Sequence, residues 1–146
     1  MAKAFSIEDG NLATRPIITS RERIYKDIDL SFAKRPSGDV YKKTDAAAVK
    51  QAIKNLLLTS DTEKPFRPYF GGNLGRMLFE LSEDYDEDNI RDTIMNAIGN
   101  FEPRARVRQV NVNTSPDFNS VDVTVIFQVI STSEVEQLNV SLTRLR

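Results

Sequence analysis

The chain contains no cysteine, no histidine and no tryptophan. Without cysteine there is no disulfide, no thiolate nucleophile and no cysteine-based zinc site. Without histidine the commonest general acid-base group is missing, and with it every Ser-His-Asp arrangement. No run of residues is long and apolar enough to span a bilayer, so no membrane partner is expected. Met1–Ser6 shows neither the apolar stretch nor the small-residue cleavage site of a secretion signal, and folding in a cytoplasm is expected. A surplus of positive charge is missing too: 20 Lys and Arg face 21 Asp and Glu, for a net charge of −1. Affinity for phosphate backbones comes from surplus cations, so this balance argues against nucleic acid as a partner.

What remains suits one folded domain with a modest core, since 40% of the 146 residues are hydrophobic. Residues 1–22 are polar and mixed and read as an N-terminal arm or loose strand; residues 23–146 read as a single domain. Within 23–43, Pro36-Ser37-Gly38-Asp39 is a turn signal between two short extended pieces. Val49, Ile53, Leu56 and Leu57 share one face of a helix expected over 45–59, with Thr44 or Asp45 as its cap. Pro65, Pro68 and Gly71-Gly72 then break the pattern, in a stretch whose Phe66, Tyr69 and Phe70 are expected to pack against the body. Asn73 is placed to cap a short helix carrying Leu74, Leu78 and Leu81. A further helix is expected from Asp84 or Asp86 to a stop at Gly99, with Ile90, Ile94, Ala97 and Ile98 as its buried stripe. Asp86, Glu87 and Asp88 suit the positive end of that helix's dipole.

Beyond residue 104 the period changes to two. Val121, Val123, Val125, Phe127 and Val129 alternate strictly, and Leu138, Val140, Leu142 and Leu145 nearly repeat the pattern. Val107, Val110 and Val112 do so with one slip of phase, which predicts a bulge between 107 and 110. The connections 113–120 (with Pro116-Asp117) and 131–135 are short enough for antiparallel hairpins. A helical N-terminal part packed on a C-terminal three-stranded antiparallel meander is an α+β fold.

The candidate site lies where helix hands over to strand, at Glu102-Pro103-Arg104. Pro103 fixes its own φ and biases Glu102 toward an extended conformation. An extended chain would put Glu102, Arg104, Arg106 and Arg108 on one side, with Ala105 and Val107 opposite. A planar guanidinium fork on a stiff segment suits bidentate bonds to a partner's carboxylates or carbonyls. Read from composition alone, the same residues make an intramolecular ion pair with solvated arginines beside it.

Phe101-Glu102-Pro103-Arg104-Ala105-Arg106-Val107 resembles the Glu-Pro-Arg signature of the baseplate wedge, or sheath-initiator, proteins of contractile-tailed phages. This is the lysozyme-like baseplate wedge family of the T-even phages, with relatives in type VI secretion baseplates. Tyr25-Lys26-Asp27-Ile28-Asp29, the helix Ala48–Thr59, the aromatic loop Pro65–Leu74 and Leu78-Phe79-Glu80 resemble the same family in the same order, over about residues 23–146. The resemblance implies a structural, non-enzymatic subunit of the virion tail baseplate, present in several copies around the tail axis and assembled in the host cytoplasm. It implies a subunit joining the wedge core to the contractile sheath and initiating sheath assembly. Glu102, Pro103, Arg104 and Arg106 would then bind the core helical bundle of other wedge proteins, and the strand at about 136–146 would offer its edge to the tail sheath protein, with the tail tube as a further neighbour. No catalytic residue, metal or cofactor is implied.

The alternatives are a tail-associated muralytic glycoside hydrolase and a free-standing protein-binding adaptor. Glycoside hydrolysis needs two carboxyl groups flanking the bond, about 5–9.5 Å apart, and Glu80, Glu83, Asp84, Asp86, Glu87, Asp88 and Glu102 are the candidates. Acids crowded at a helix start are better explained by its dipole. A glutamate engaged by Arg104 is badly placed to deliver a proton. Glu83, Asp84, Asp86 and Asp88 lack the central glycine of a calcium loop. Gly71-Gly72-Asn73-Leu74-Gly75-Arg76 lacks the Gly-Lys-Ser/Thr ending of a phosphate loop.

Overall fold

A computed structural model describes residues 25–79, 87–115 and 120–143. The expected arm 1–22, and with it Glu80, Leu81, Glu83, Asp84, Asp86, Pro116-Asp117 and Leu145, lies outside them. The described chain opens with a two-stranded ribbon, β1 (Lys26–Ile28) against β2 (Lys42–Thr44), closed by the turn at Pro36–Asp39. Helix α1 (Ala46–Leu58) buries Val49, Ile53, Leu56 and Leu57 along one stripe, as their spacing predicts. Its cap differs from expectation, because the Asp45 side chain makes no bond to the helix's free N–H groups. Asp45 Oδ1 instead accepts the Tyr25 N–H at 3.3 Å, tying the entering chain to the helix start. Gln51, buried among apolar neighbours, ties it further: its amide donates to the Ile28 carbonyl at 2.8 Å and accepts the Leu30 N–H at 3.3 Å.

The glycine pair does more than turn the chain. The Gly72 N–H donates to the Leu56 carbonyl at 2.9 Å, satisfying an orphan acceptor at the end of α1. A Cβ at Gly72 would lie 2.8 Å from Leu57 Cα, so only glycine passes this close. Asn73 follows at φ 52°, its side-chain oxygen accepting the Asp61 N–H at 2.6 Å and its carbonyl opening α2 (Leu74–Phe79). The loop between the helices does not bury its aromatics as expected. Phe70 packs on Phe101, ring centroids 5.1 Å apart, but Phe66 and Tyr69 project into solvent. Phe66 sits at φ 64°, on a backbone that turns its ring away from the body.

Helix α3 (Glu87–Phe101) buries Ile90, Ile94, Ala97 and Ile98. It runs through Gly99 rather than stopping there: a helical glycine costs only about 1 kcal/mol, and Phe101 gains its contact with Phe70 by staying helical. Pro103 supplies the stop.

The C-terminal meander is β3 (Ala105–Ser115), β4 (Ser120–Val129) and β5 (Val135–Thr143), antiparallel in the order β3-β4-β5. The expected bulge falls at Arg108, between the pairs Val107–Phe127 and Gln109–Ile126. It keeps Ala105 and Val107 facing inward before the slip and Val110 and Val112 after it. With the odd-numbered residues of β4 and Leu138 and Val140 of β5, these meet α1 and α3 in one core, centred on Phe127.

The two edges of this sheet differ. The Thr114 N–H donates to Glu87 Oε1 at 3.1 Å, and Arg91 Nε donates to the Val110 carbonyl at 3.1 Å. Thus β3 turns the backbone of residues 110 and 114 outward, and α3 side chains cover it. In an antiparallel sheet the facing alternates by residue. The register therefore places Glu136, Leu138, Val140 and Leu142 in bonds to β4 and turns the backbone of Gln137, Asn139 and Ser141 outward. Among the described residues, nothing bonds to that outer edge of β5.

Candidate functional site

The Glu-Pro-Arg corner is a turn locked at both ends. The Glu102 N–H still donates to the Ile98 carbonyl at 2.9 Å, completing α3, and the Glu102 carbonyl accepts the Ala105 N–H at 3.1 Å. Pro103 thereby takes the second position of a β-turn, where its fixed φ is favourable. The Arg104 carbonyl accepts the Ile130 N–H at 3.0 Å, the first rung of the β3–β4 ladder. The side chains are fixed as firmly. Arg104 Nε donates to Glu102 Oε1 at 2.6 Å and Nη2 to Oε2 at 2.7 Å, a side-on bidentate pair. The Glu102 side chain is 8% exposed and that of Arg104 34%. The Tyr25 ring lies under the guanidinium, 5.4 Å from its centroid to Cζ. Bonding to Glu102 raises the Arg104 pKa further, and burial offsets part of that rise.

Glu102 also borders a cleft of about 500 Å3 walled by Asn55 of α1, Lys64, Phe70, Phe101 and Asp27. Its carboxylates are occupied within the chain. Arg104 takes both oxygens of Glu102, Glu63 accepts the Ser60 N–H at 2.9 Å, and Asp27 accepts the Ile28 N–H at 2.8 Å. Of the other acids named from sequence, Glu87 bonds Thr114 and Asp88 pairs with Arg91, while Glu80, Glu83, Asp84 and Asp86 are outside the described residues. Among the described residues no three acidic side chains gather as a metal would need.

The structure brings Glu102 and Arg104 together but does not align them with Arg106 and Arg108. The corner is a turn rather than a strand, so Glu102 points inward while Arg106 stands exposed on the outer face of the sheet. Arg108, as the bulge residue, bonds the Gln128 side chain. Tyr25 stood out in sequence only within the family-like segment 25–29; its place beside Arg104 was not legible, because the distance between them along the chain leaves no periodic signal.

Residues 43–134 match the baseplate wedge protein gp25 family. The chain belongs to that family. Among relatives of the wedge protein family, the baseplate wedge protein gp25 of enterobacteria phage T4 is 29% identical over 121 residues, covering 82% of this chain and 92% of the relative. The fold recurs in a protein assigned as a tail lysozyme from Geobacter sulfurreducens, with a TM-score of 0.58, 19% identity, and 67% of this chain and 89% of that one covered. It recurs in a chain of the anti-feeding prophage baseplate, with a TM-score of 0.56, 20% identity, and 80% and 83% covered. As a wedge-family protein the chain is a structural subunit of a phage tail baseplate, its Glu-Pro-Arg corner built around an internal ion pair.

Proposed function

We propose that this subunit joins the wedge core to the contractile sheath and starts sheath assembly, using two surfaces. Glu102, Pro103, Arg104 and Arg106 form the wedge-core contact. The Glu102 pair uses only Nε and Nη2 of Arg104, so the Nη1 end stays available to a partner's carbonyls or carboxylate. The carboxylate acts here as a clamp that aims the guanidinium. The free edge of β5 is the sheath contact, taking a partner strand by β-augmentation. The observation that carries this reading is the asymmetry of the edges: α3 side chains close β3, and nothing among the described residues bonds the outward backbone of Gln137, Asn139 and Ser141 in β5.

Pull-down of the core wedge proteins with Arg104→Lys tests the first surface. Lysine keeps the charge beside Glu102 but loses the fork, so wedge binding should drop at least about tenfold while the domain stays folded. Unchanged binding would remove the corner from the interface. The same geometry supports a non-enzymatic reading, since Arg104 takes both oxygens of Glu102, the carboxylate at the corner. Purified chain should release no soluble fragments from peptidoglycan, and Glu102→Gln should change nothing. Activity that vanished with Glu102→Gln would reverse this reading.

A further inference from the structure

Beside the open edge of β5 runs a groove of about 550 Å3, with Leu138 and Asn139 on one side and Ala47, Lys50, Gln51, Lys54 and Asn55 of α1 behind it. Asp29, Leu30, Ser31 and Lys43 close its far wall. Three lysines thus face it against one aspartate. Lys43 pairs with Asp29 at 3.4 Å and Lys50 with Glu136 at 3.7 Å, both partly exposed. Lys54, exposed, has no ion pair among the described residues.

A strand bonded to Gln137, Asn139 and Ser141 would lie about 4.8 Å outside β5 and send alternate side chains to opposite faces. One set would stand beside the exposed polar side chains of Gln137, Asn139 and Ser141 on the outer face. The other set would point into the groove, over the lysines of α1. Backbone bonding at an edge accepts almost any extended sequence, so discrimination has to come from the side chains.

We propose that this groove selects its incoming strand by charge: it takes an extended segment of the tail sheath protein carrying carboxylate side chains at the alternate positions that turn toward Lys50 and Lys54. This rests on the reading of β5 as the sheath-binding edge and adds the chemistry of the partner. Lys54 supplies the cation that pairs with no acid among the described residues, and Lys50 exchanges or shares Glu136 with the incoming acid. Because these charges are partly exposed, the selection is sensitive to salt.

The test measures binding of the full chain to the purified tail sheath protein, with circular dichroism as a folding control. Asn139→Pro removes one outward N–H that β4 does not use, so it blocks the edge without breaking the sheet. Lys50→Gln with Lys54→Glu changes only the groove. The expected result is loss of binding for Asn139→Pro and about tenfold weaker, less salt-dependent binding for the lysine pair. Lys50→Arg with Lys54→Arg should bind as wild type. A nine-residue peptide alternating valine and glutamate should compete, and its valine-lysine counterpart should not. Loss with Asn139→Pro but full binding by the Gln/Glu pair overturns charge selection and leaves the edge reading standing. Full binding by Asn139→Pro overturns the edge reading itself. A tenfold gain on removing residues 1–24, or a concentration-dependent dimer that the Gln/Glu pair abolishes, would make this chain the occupant and overturn the proposal.

Discussion

Glu102 and Arg104 form an unequal pair, and the inequality decides what each substitution does. The glutamate side chain is buried while the arginine side chain keeps about a third of its surface in water. Removing the exposed partner strands a buried charge, whereas removing the buried one leaves an arginine that water can solvate. Arg104→Ala should therefore cost about 2–3 kcal/mol, less than a fully buried pair would lose, and Glu102→Gln about 1–2 kcal/mol. Urea denaturation midpoints should rank wild type above Glu102→Gln above Arg104→Ala; the reverse order would mean that Glu102 is solvated. This also makes Arg104→Ala a poor probe of assembly, since it disturbs the fold it is meant to spare. The tripeptide was visible in sequence as a stiff, charged corner. Its inward-facing glutamate was not, because a turn breaks the two-residue alternation from which facing is read.

Asp29 offers a second test at this scale. Its pKa lies below the ordinary aspartate value of 3.8, chiefly because its oxygen accepts the Ser31 N–H at 3.0 Å, and only secondarily because of Lys43. A carboxyl whose pKa is depressed by folding contributes stability above its unfolded value and loses it as pH falls through the folded one. The contribution is thus intact at neutral pH and fades only below 3.8. A carbon-detected NMR titration should place the Asp29 midpoint below 3.8 and should retain most of the lowering in Lys43→Gln. Full return to the ordinary value in that variant would make the lysine the dominant cause.

At the scale of elements, the strands and the long helices were legible because each buries a single face, and one-sided burial writes its period into the chain. Even the bulge at Arg108 showed as a slip of phase between Val107 and Val110. The glycines were less legible, because a glycine reports a need for space or for unusual φ without saying which. Gly99 looked like a helix stop and is an exposed helical residue, with nothing within 4 Å of where a Cβ would stand. Gly72 looked like part of a turn and is a contact point where α1 and the following chain touch. The two should respond in opposite directions. Gly99→Ala should stabilise by about 0.5–1 kcal/mol through lower backbone entropy in the unfolded chain. Gly72→Ala should destabilise by about 1–3 kcal/mol, as overpacking does. Thermal unfolding of both variants checks the pair, and a gain at Gly72 would show that α1 yields there without cost. Phe66 and Tyr69 escaped prediction for another reason: hydrophobicity favours burial on average, but a loop's backbone decides where a ring points.

At the scale of the molecule, the described residues solve the sheet's edge problem on one side only. An exposed strand edge pairs with whatever strand meets it, and natural proteins usually cover or charge such edges. Here Glu87 and Arg91, one helical turn apart on α3, occupy the outward backbone of Thr114 and Val110. They do for β3 what nothing among the described residues does for β5. If the covered edge is a guard, opening it should give the molecule a second adhesive side. Glu87→Ala with Arg91→Ala should leave the core stripe of Ile90, Ile94 and Ile98 intact, since neither side chain belongs to it. The variant should fold, lose about 1–2 kcal/mol from the missing side chain–backbone bonds, and self-associate more strongly than the wild type. Sedimentation velocity over a hundredfold concentration range would reveal this as a rising weight-average mass. Adding Thr114→Pro, which removes the outward N–H freed by the loss of Glu87, should reverse it. An unassociated double variant would mean that the bulge and twist of β3 already keep partners away, with α3 only bracing an edge that needed no cover.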